Sequence, residues 1–414
     1  MYRVSSFVRT FAWSLLAGIA LASIWVNVAP ASYYDLLEWR LAEFQMPNWL
    51  AQGDLSLTPV RVVGDGLMAF FIFFIGKELW ESLVLERGAL SGKRALVPMG
   101  LSIGSMLGAV VVWILATSLI ETADEAEFAS GWVVPLGSDV VLCYLMGRWV
   151  FGPGHMALHV ILLLTISADI VGLIVLGVSA PDASLRLLWL VMPLVASFTV
   201  WRVFGRPPSA LSSERRRRRT LQLWPYGVAG ALSWLGVAAS GLPPALGLLP
   251  VLPAIAHADR SFGLFAEAEE LLHDPLNQLA HGLIWPLCAV LFLFGLTFGG
   301  IDLGAFAPTT LIVLAAMWVG KPLGLVTAWV LFERIAGLHL PHGLVRRDLY
   351  LIALIMGIGF TVPALTLDRA LPGGVMQEAA RQGFALSLLA APLALMLSRR
   401  RFKRGASPAH AEPL

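Results

Sequence analysis

Three ionisable residues lie within otherwise apolar runs of the 414-residue sequence: the carboxylates Asp139 and Asp169 and the ammonium of Lys321. Charged groups are costly in apolar surroundings, so each one is a candidate functional residue. Pairing Asp169 with Lys321 is the cheapest arrangement, because a buried acid or a buried amine alone would favour its neutral form. We therefore predict that these two side chains meet in the folded protein.

The predicted pair also has a chemistry. A cation that binds at Asp169 competes with Lys321 for the carboxylate, and the ammonium can then release its proton. Competition between a cation and a proton for one site is the basis of antiport. A purely structural salt bridge is the alternative interpretation.

Asp139 lies in a stretch whose residue types favour an interrupted helix. Pro135 and Gly137 precede it, and unwound carbonyls and half-helix ends can bind a cation or offset a local charge. A kinked helix with a hydrogen-bonded aspartate is the alternative. A second interruption, without a central charge, is indicated by the stretch that contains Gly357, Gly359, Thr361 and Pro363.

The surroundings of these residues are those of a membrane protein. The sequence is 57% hydrophobic and 14% charged, with a mean hydropathy of +0.76, whereas soluble domains contain about 25% charged residues. A helix that crosses the hydrocarbon core needs about 20 mostly apolar residues. Apolar runs of about this length lie at residues 10–29, 62–84, 95–120, 132–150, 156–178, 184–204, 221–240, 242–256, 279–298, 307–332, 348–367 and 378–398.

The order of these runs predicts an all-α polytopic membrane protein, with twelve transmembrane helices in a single domain over residues 1–414. The fourth and eleventh runs contain the two interruptions, so runs three to five and runs ten to twelve form matching triplets. Corresponding interrupted helices in two halves indicate an inverted repeat, with the functional site between the halves.

Loop charges predict the orientation. The basic connection at residues 205–220 and the basic tail at residues 399–414 fall on the same side as the N-terminus, whereas residues 30–60 fall on the acidic side. By the positive-inside rule, both termini are cytoplasmic and residues 30–60 are an extracytoplasmic loop. The arginine run at residues 215–219 is predicted to contact anionic lipid rather than nucleic acid.

Two other classes of chemistry are disfavoured. Cys143 and Cys288 lie in apolar runs, which argues against a disulfide framework or a metal cluster. The sequence contains no motif that combines a nucleophile with a base, so an enzyme is not expected.

Four motifs resemble those of the NhaA sodium/proton antiporter family, and the resemblance extends over nearly the whole chain. The motifs are Gly64-Asp65-Gly66-Leu67-Met68-Ala69-Phe70-Phe71 with Gly76 and Glu78, Gly131-Trp132 with Pro135 and Ser138-Asp139, Gly320-Lys321-Pro322-Leu323-Gly324, and Gly357-Ile358-Gly359-Phe360-Thr361. The resemblance implies a twelve-helix fold with crossed, discontinuous helices four and eleven. It also implies exchange of sodium or lithium for protons by alternating access, in a prokaryotic-type inner membrane and in the service of pH homeostasis.

The resemblance assigns roles to particular residues. Asp169 is expected to bind the cation and the proton, Lys321 to be its counter-charge, and Asp139 with Ser138 to contribute supporting oxygen atoms. Sodium, lithium and protons are then substrates rather than cofactors, and a homodimer is compatible with the family. The expected supports of the interrupted helices are Pro135, Gly137, Gly357, Gly359 and Thr361, and the expected structural or gating residues are Asp65 and Glu78.

The sequence departs from the family pattern beside Asp169. The family carries two adjacent aspartates, of which the first pairs with the lysine and the second is the principal cation ligand. Counting without gaps places Asp169 at the first position and Ile170 at the second. A register shifted by one residue would keep the ligand and lose the lysine's partner, but neither flanking anchor favours it. Three outcomes follow: a weaker or less electrogenic antiporter, a transporter of another substrate, or a sensor or partner subunit that does not transport.

The pH-responsive region of the family is also altered. Its charged cluster after Glu78 reads Leu79-Trp80-Glu81-Ser82 here, and pH control like the family's is therefore not expected. The acidic segment with Glu267, Glu269, Glu270 and His273 resembles another part of that region, and a solvated loop helix is the alternative.

Overall fold

The computed structural model describes residues 7–45, 54–84, 93–119, 131–179, 185–205, 222–256, 275–335, 337, 344–371 and 373–405. In this part of the chain, nine helical segments are long and apolar enough to cross a membrane. They are Phe7–Val28, Pro59–Leu83, Val97–Ser118, Gly131–Phe151, Met156–Ser179, Leu187–Gly205, Pro275–Phe298, Pro308–Ile335 and Val375–Ser398. A predominantly helical fold with many apolar spans is thus confirmed.

The individual α-helices follow one another along the chain with short connections. They are α1 (Phe7–Val28), α2 (Pro30–Glu38), α3 (Pro59–Arg61), α4 (Met68–Val84), α5 (Lys93–Ser118), α6 (Val140–Phe151), α7 (Met156–Ser179), α8 (Val191–Val200), α9 (Trp224–Ser240), α10 (Pro275–Phe298), α11 (Pro308–Ala315), α12 (Lys321–Ile335), α13 (Arg346–Ile355), α14 (Thr361–Ala370), α15 (Val375–Ser387) and α16 (Ala390–Gly405).

Shorter helical turns extend or join these helices. Three π-helical segments are Val62–Leu67, Trp201–Gly205 and Ala316–Gly320, and four 3₁₀ segments are Gly131–Leu136, Leu187–Leu190, Pro244–Leu246 and Leu249–Ala254. The prolines of the last two segments explain why the predicted run at 242–256 is not an α-helix, since proline lacks the N–H that an α-helix needs.

The predicted extracytoplasmic loop at residues 30–60 contains regular structure. It holds α2 and an antiparallel hairpin of β1 (Ala42–Gln45) and β2 (Asp54–Leu57), in which Ala42 pairs with Leu57 and Gln45 with Asp54. The all-α prediction therefore needs this one correction. Four-residue strands in a polar loop are too short to give a recognisable alternating pattern in the sequence.

Three predicted regions lie mostly or wholly outside the described residues. They are the basic connection at 205–220, the last residues of the tail at 399–414, and the acidic segment with Glu267, Glu269, Glu270 and His273.

The centre of the fold is built by α7 and by the segment that contains α6. About 78% of the apolar stretch of α7 and 89% of that of Gly131–Phe151 are buried inside the protein, far more than for most other spans. Because α7 is hydrophobic around its whole circumference, it packs well as a central helix. Asp169 is therefore placed on the innermost helix of the fold.

Helices α5 and α12 approach each other along a series of glycines. A Cβ atom added to Gly108 would lie 2.6 Å from the Cα and 2.7 Å from the backbone nitrogen of Gly324. The obstacle is backbone, which cannot rotate away as a side chain can. This close approach positions the start of α12, and with it Lys321.

We expect Gly108→Ala to destabilise the protein by about 1–3 kcal/mol, the usual cost of overpacking a tight contact. Gly282→Ala on α10 is the matched control, because a Cβ there meets no atom within 4 Å. Thermal unfolding of the purified proteins in detergent compares the two variants. Equal melting temperatures for both variants would contradict this packing argument.

Candidate functional site

Asp139 caps two helices at once. It is the N-cap residue of α6, where its Oδ1 accepts a hydrogen bond from the backbone N–H of Leu142 at 2.7 Å. Its Oδ2 accepts from the backbone N–H of Thr361, the first residue of α14, at 3.2 Å. Helix N-termini carry unpaired N–H groups and partial positive charge, which a carboxylate satisfies. One buried side chain thus joins two segments of the chain that lie 222 positions apart.

The two non-helical stretches that precede these helices are in contact. Residues 137–139 lie between a 3₁₀ turn and α6, and residues 356–360 lie between α13 and α14. The backbone N–H of Asp139 donates to the carbonyl of Ile358 at 3.3 Å, and the thiol of Cys143 donates to the carbonyl of Ile355 at 3.2 Å. Backbone groups that helices would normally pair internally are therefore paired between the segments.

Asp169 faces these stretches from α7 and is completely buried. Its Oδ1 accepts a hydrogen bond from the backbone N–H of Ser138 at 2.7 Å. Its Oδ2 has no partner among the described residues. A buried carboxylate oxygen without a hydrogen bond is rare and costly, so this atom is suited to receive a proton or a cation.

Lys321 reaches the same stretch from the opposite side. It is 1% exposed, and its Nζ donates to the carbonyl of Gly137 and to the hydroxyl of Ser138, the latter at 2.9 Å. Two oxygen atoms of the non-helical stretch therefore hold the buried ammonium.

The direct ion pair between Asp169 and Lys321 is not formed among the contacts of the described residues. Ser138 lies between the two charges: its N–H is bound to the carboxylate and its hydroxyl to the ammonium. The sequence-based prediction brought the right residues to one place but gave them the wrong direct partners. The physical reason is that the non-helical backbone supplies a donor and acceptors that residue types alone do not reveal.

The predicted supports lie at the crossing of the two segments. A Cβ added to Gly137 would lie 2.7 Å from Cγ1 of Val362, and one added to Gly357 would lie 3.0 Å from the carbonyl oxygen of Met317. Pro135 is buried in the 3₁₀ turn before the crossing. Thr361, besides its bond to Asp139, has a buried hydroxyl without a partner in the described part of the chain. Small residues are therefore required here for close approach.

The similarity of the chain to known proteins agrees with this geometry. The model of the family described as "Na+/H+ antiporter 1" matches residues 6–397. The chain belongs to this antiporter family. It is therefore a multi-pass membrane transporter rather than an enzyme, and the resemblance stated from the sequence motifs is confirmed.

Individual relatives of this antiporter family are similar over almost their full length. The Na(+)/H(+) antiporter NhaA of Jannaschia sp. (strain CCS1) is 36% identical over 411 residues, which covers 96% of this chain and 98% of the relative. The Na(+)/H(+) antiporter NhaA 2 of Pelobacter propionicus is 31% identical over 392 residues, covering 94% and 95%. The solved structure of the sodium proton antiporter MjNhaP1 from Methanocaldococcus jannaschii has a similar fold, with a TM-score of 0.51, 13% identity, and coverage of 95% and 100%.

Ile170 follows Asp169 where this antiporter family was expected to carry a second aspartate. Its side chain is partly buried and packs against the main hydrophobic core. It supplies no oxygen atom to the site. The oxygen atoms of Asp139, Asp169, Ser138, Thr361 and the Gly137 carbonyl are consequently the ones available near the crossing.

Two ion pairs outside the crossing involve residues that the sequence analysis did not identify as partners. Asp65 binds Arg369 at 2.9 Å, and the indole N–H of Trp234 donates to the Asp65 carbonyl at 2.9 Å. On α4, Lys77 is 1% exposed and binds Glu78 at 3.3 Å and Glu81 at 3.1 Å. The i,i+4 spacing of Lys77 and Glu81 was the available signal for the second case.

We expect Asp139→Ala to lower the free energy of unfolding by about 1–3 kcal/mol, since it leaves the N–H groups of Leu142 and Thr361 without their acceptor. Asp139→Asn retains one acceptor oxygen and should lose less. Denaturant unfolding of the purified proteins measures the difference. If the two variants are equally stable, Asp139 does not act as the shared cap.

Proposed function

We propose that this protein exchanges sodium or lithium for protons by alternating access, with Asp169 as the shared cation and proton site. The observation that carries the proposal is the unpartnered Oδ2 of a completely buried aspartate, next to a buried ammonium that is held by non-helical backbone. Family membership and the names of the similar antiporters support the same ions.

The exchange follows from competition for oxygen atoms. A dehydrated alkali cation prefers hard oxygen ligands, and Asp169 and Ser138 supply them at the crossing. A cation that enters draws these oxygen atoms towards itself and weakens the hold of Ser138 on Lys321. The ammonium then releases its proton, and a proton arriving from the other side reverses the sequence. Asp139 keeps the two half-helices in place while the charges change.

The proposal includes the architecture that alternating access needs. We assign twelve spans: the nine long helical segments, α9, the 3₁₀ turns at 244–254, and the pair α13 and α14. The interrupted spans, four and eleven, then belong to two inverted repeats with the site between them. Both termini lie in the cytoplasm, and the membrane is a prokaryotic inner membrane.

Ile170 favours one alternative. With a single carboxylate of the family's pair, the scaffold could take another substrate, or it could serve as a membrane sensor or partner subunit without transport. The retained burial and orientation of Asp169, Lys321 and Asp139 favour exchange over these alternatives, because buried charges are costly to keep without a use.

We expect proteoliposomes that hold the protein to show collapse of an imposed proton gradient when sodium or lithium is added, between pH 6 and 9. Asp169→Asn should abolish the response, since the amide neither binds a proton nor neutralises a cation. Fluorescence of a pH-sensitive dye reports the gradient. Exposed Asp302→Asn is the matched control and should retain activity.

Absence of a response with every alkali cation from pH 6 to 9 would refute cation/proton exchange. A full response in Asp169→Asn would refute Asp169 as its site and would favour a different carboxylate.

Restoring the second carboxylate tests the part played by Ile170. We expect Ile170→Asp to lower the KM for sodium about tenfold, which corresponds to ~1.4 kcal/mol of added cation binding. Ile170→Asn is the control, because it has the same size and a carbonyl oxygen but no charge. An equal gain in both variants would show that charge at this position is not what limits cation binding.

A further inference from the structure

A second group of buried charged residues lies at the end of α14 that is remote from Asp139. Arg381 on α15 binds Glu378 on its own helix at 2.7 Å and Asp368 on α14 at 3.3 Å. It is only 7% exposed. These three residues, here named the Arg381 cluster, therefore connect α14 and α15 by charge as well as by packing.

Neighbouring contacts hold the same end of α14 from two further directions. Arg369, next to Asp368, binds Asp65 in the π-helical segment Val62–Leu67 at 2.9 Å. Tyr34 on α2 lies beside Glu378: burial, and next the negative charge of Glu378, raise the pKa of Tyr34 to about 12. The phenol therefore stays protonated and can donate to the cluster.

The cluster is not fully satisfied. In the described part of the chain, the Nε of Arg381, the Oε2 of Glu378 and the Oε1 of Gln382 are buried without a hydrogen-bond partner. A permanent buried network usually pairs all of its polar atoms, because each unpaired one is costly at low dielectric. Unpaired atoms on three neighbouring side chains fit a network that exchanges partners between two arrangements.

The position of α14 links this cluster to the central site. The helix has ten residues and is thus about 15 Å long. Its first N–H, from Thr361, binds Asp139, and its far end carries Asp368 and Arg369. Because a helix of this length moves as a rigid body, contacts at the far end determine where Thr361 stands relative to Asp139.

We propose that Arg381 is a positioning residue whose pairs with Asp368 and Glu378 hold α14 in the state that closes the outer route to Asp169. Breaking these pairs opens that route. The inference rests on the proposed exchange by alternating access, and it assigns the control of outer access to residues that touch neither ion.

Asp368→Asn tests this role, because it removes the charge that joins α14 to Arg381 while leaving the Glu378 contact. In oriented proteoliposomes, we expect the KM for sodium to fall about threefold or more at the outer face and to rise at the inner face, since the outward-facing state becomes more populated. Asp368→Glu keeps the charge and should stay near the wild type. Arg40→Gln is a matched control that removes an exposed ion pair, with Glu43, elsewhere on the outer face.

A second readout does not depend on transport. In a Cys288→Ser background, the buried thiol of Cys143 lies at the crossing of the interrupted segments. A membrane-impermeant thiol reagent added from outside should label it several-fold faster in Asp368→Asn than in the parent protein. This rate can be measured even if the protein exchanges no ions.

The outcomes separate the two proposals. A wild type without exchange refutes the proposed function, and the labelling rates then still decide the role of Arg381. Unchanged labelling together with unchanged KM values, or KM values that shift by the same factor on both faces, refutes the positioning role. If Asp368→Asn cannot be purified folded, Arg381→Lys replaces it: it keeps the charge but cannot bridge two carboxylates, and the absence of any shift in either readout would overturn the inference.

Discussion

The structure of the central site depends on the hydrogen bonds that Asp139 makes to the starts of two helices. Without that carboxylate, α6 would lose its N-cap and α14 would begin without any side-chain acceptor. Because both helix starts are completely buried, water cannot replace it. The contact between the two non-helical stretches follows from this cap, and so does the position of Ser138. Every other charged group of the site is placed relative to that stretch.

The buried charges of the site are balanced through backbone and hydroxyl groups rather than by direct pairing. Asp169 and Lys321 both bind Ser138, and the carboxylate retains one free oxygen. A direct pair would have satisfied both charges and left less reason for a third ion to enter. The separation by one residue leaves the acid accessible to a cation or a proton, while the ammonium remains held. The same arrangement explains how an antiporter scaffold can persist with Ile170 in place of a second carboxylate.

Charge also organises the protein away from the site. The Arg381 cluster and the Asp65–Arg369 pair act at the end of α14 opposite to Asp139, so one short helix connects two groups of buried charges. Glycines do the corresponding work between α5 and α12, where backbones touch and Lys321 is brought to its depth. Rigid connections of this kind allow a change of contacts at one end of an element to be felt at the other.

The sequence by itself determined the apolar spans, the two interruptions and the identities of Asp139, Asp169 and Lys321, because the costs of buried charge and of proline or glycine in a helix are visible in residue types and their order. It also showed the antiporter family through its motifs. Only the tertiary structure decided the partners: Lys321 binds Gly137 and Ser138 instead of Asp169, and Asp65 binds an arginine 304 positions away. Periodicity and composition report how each element is buried, but the meeting of distant side chains depends on how the helices pack against one another.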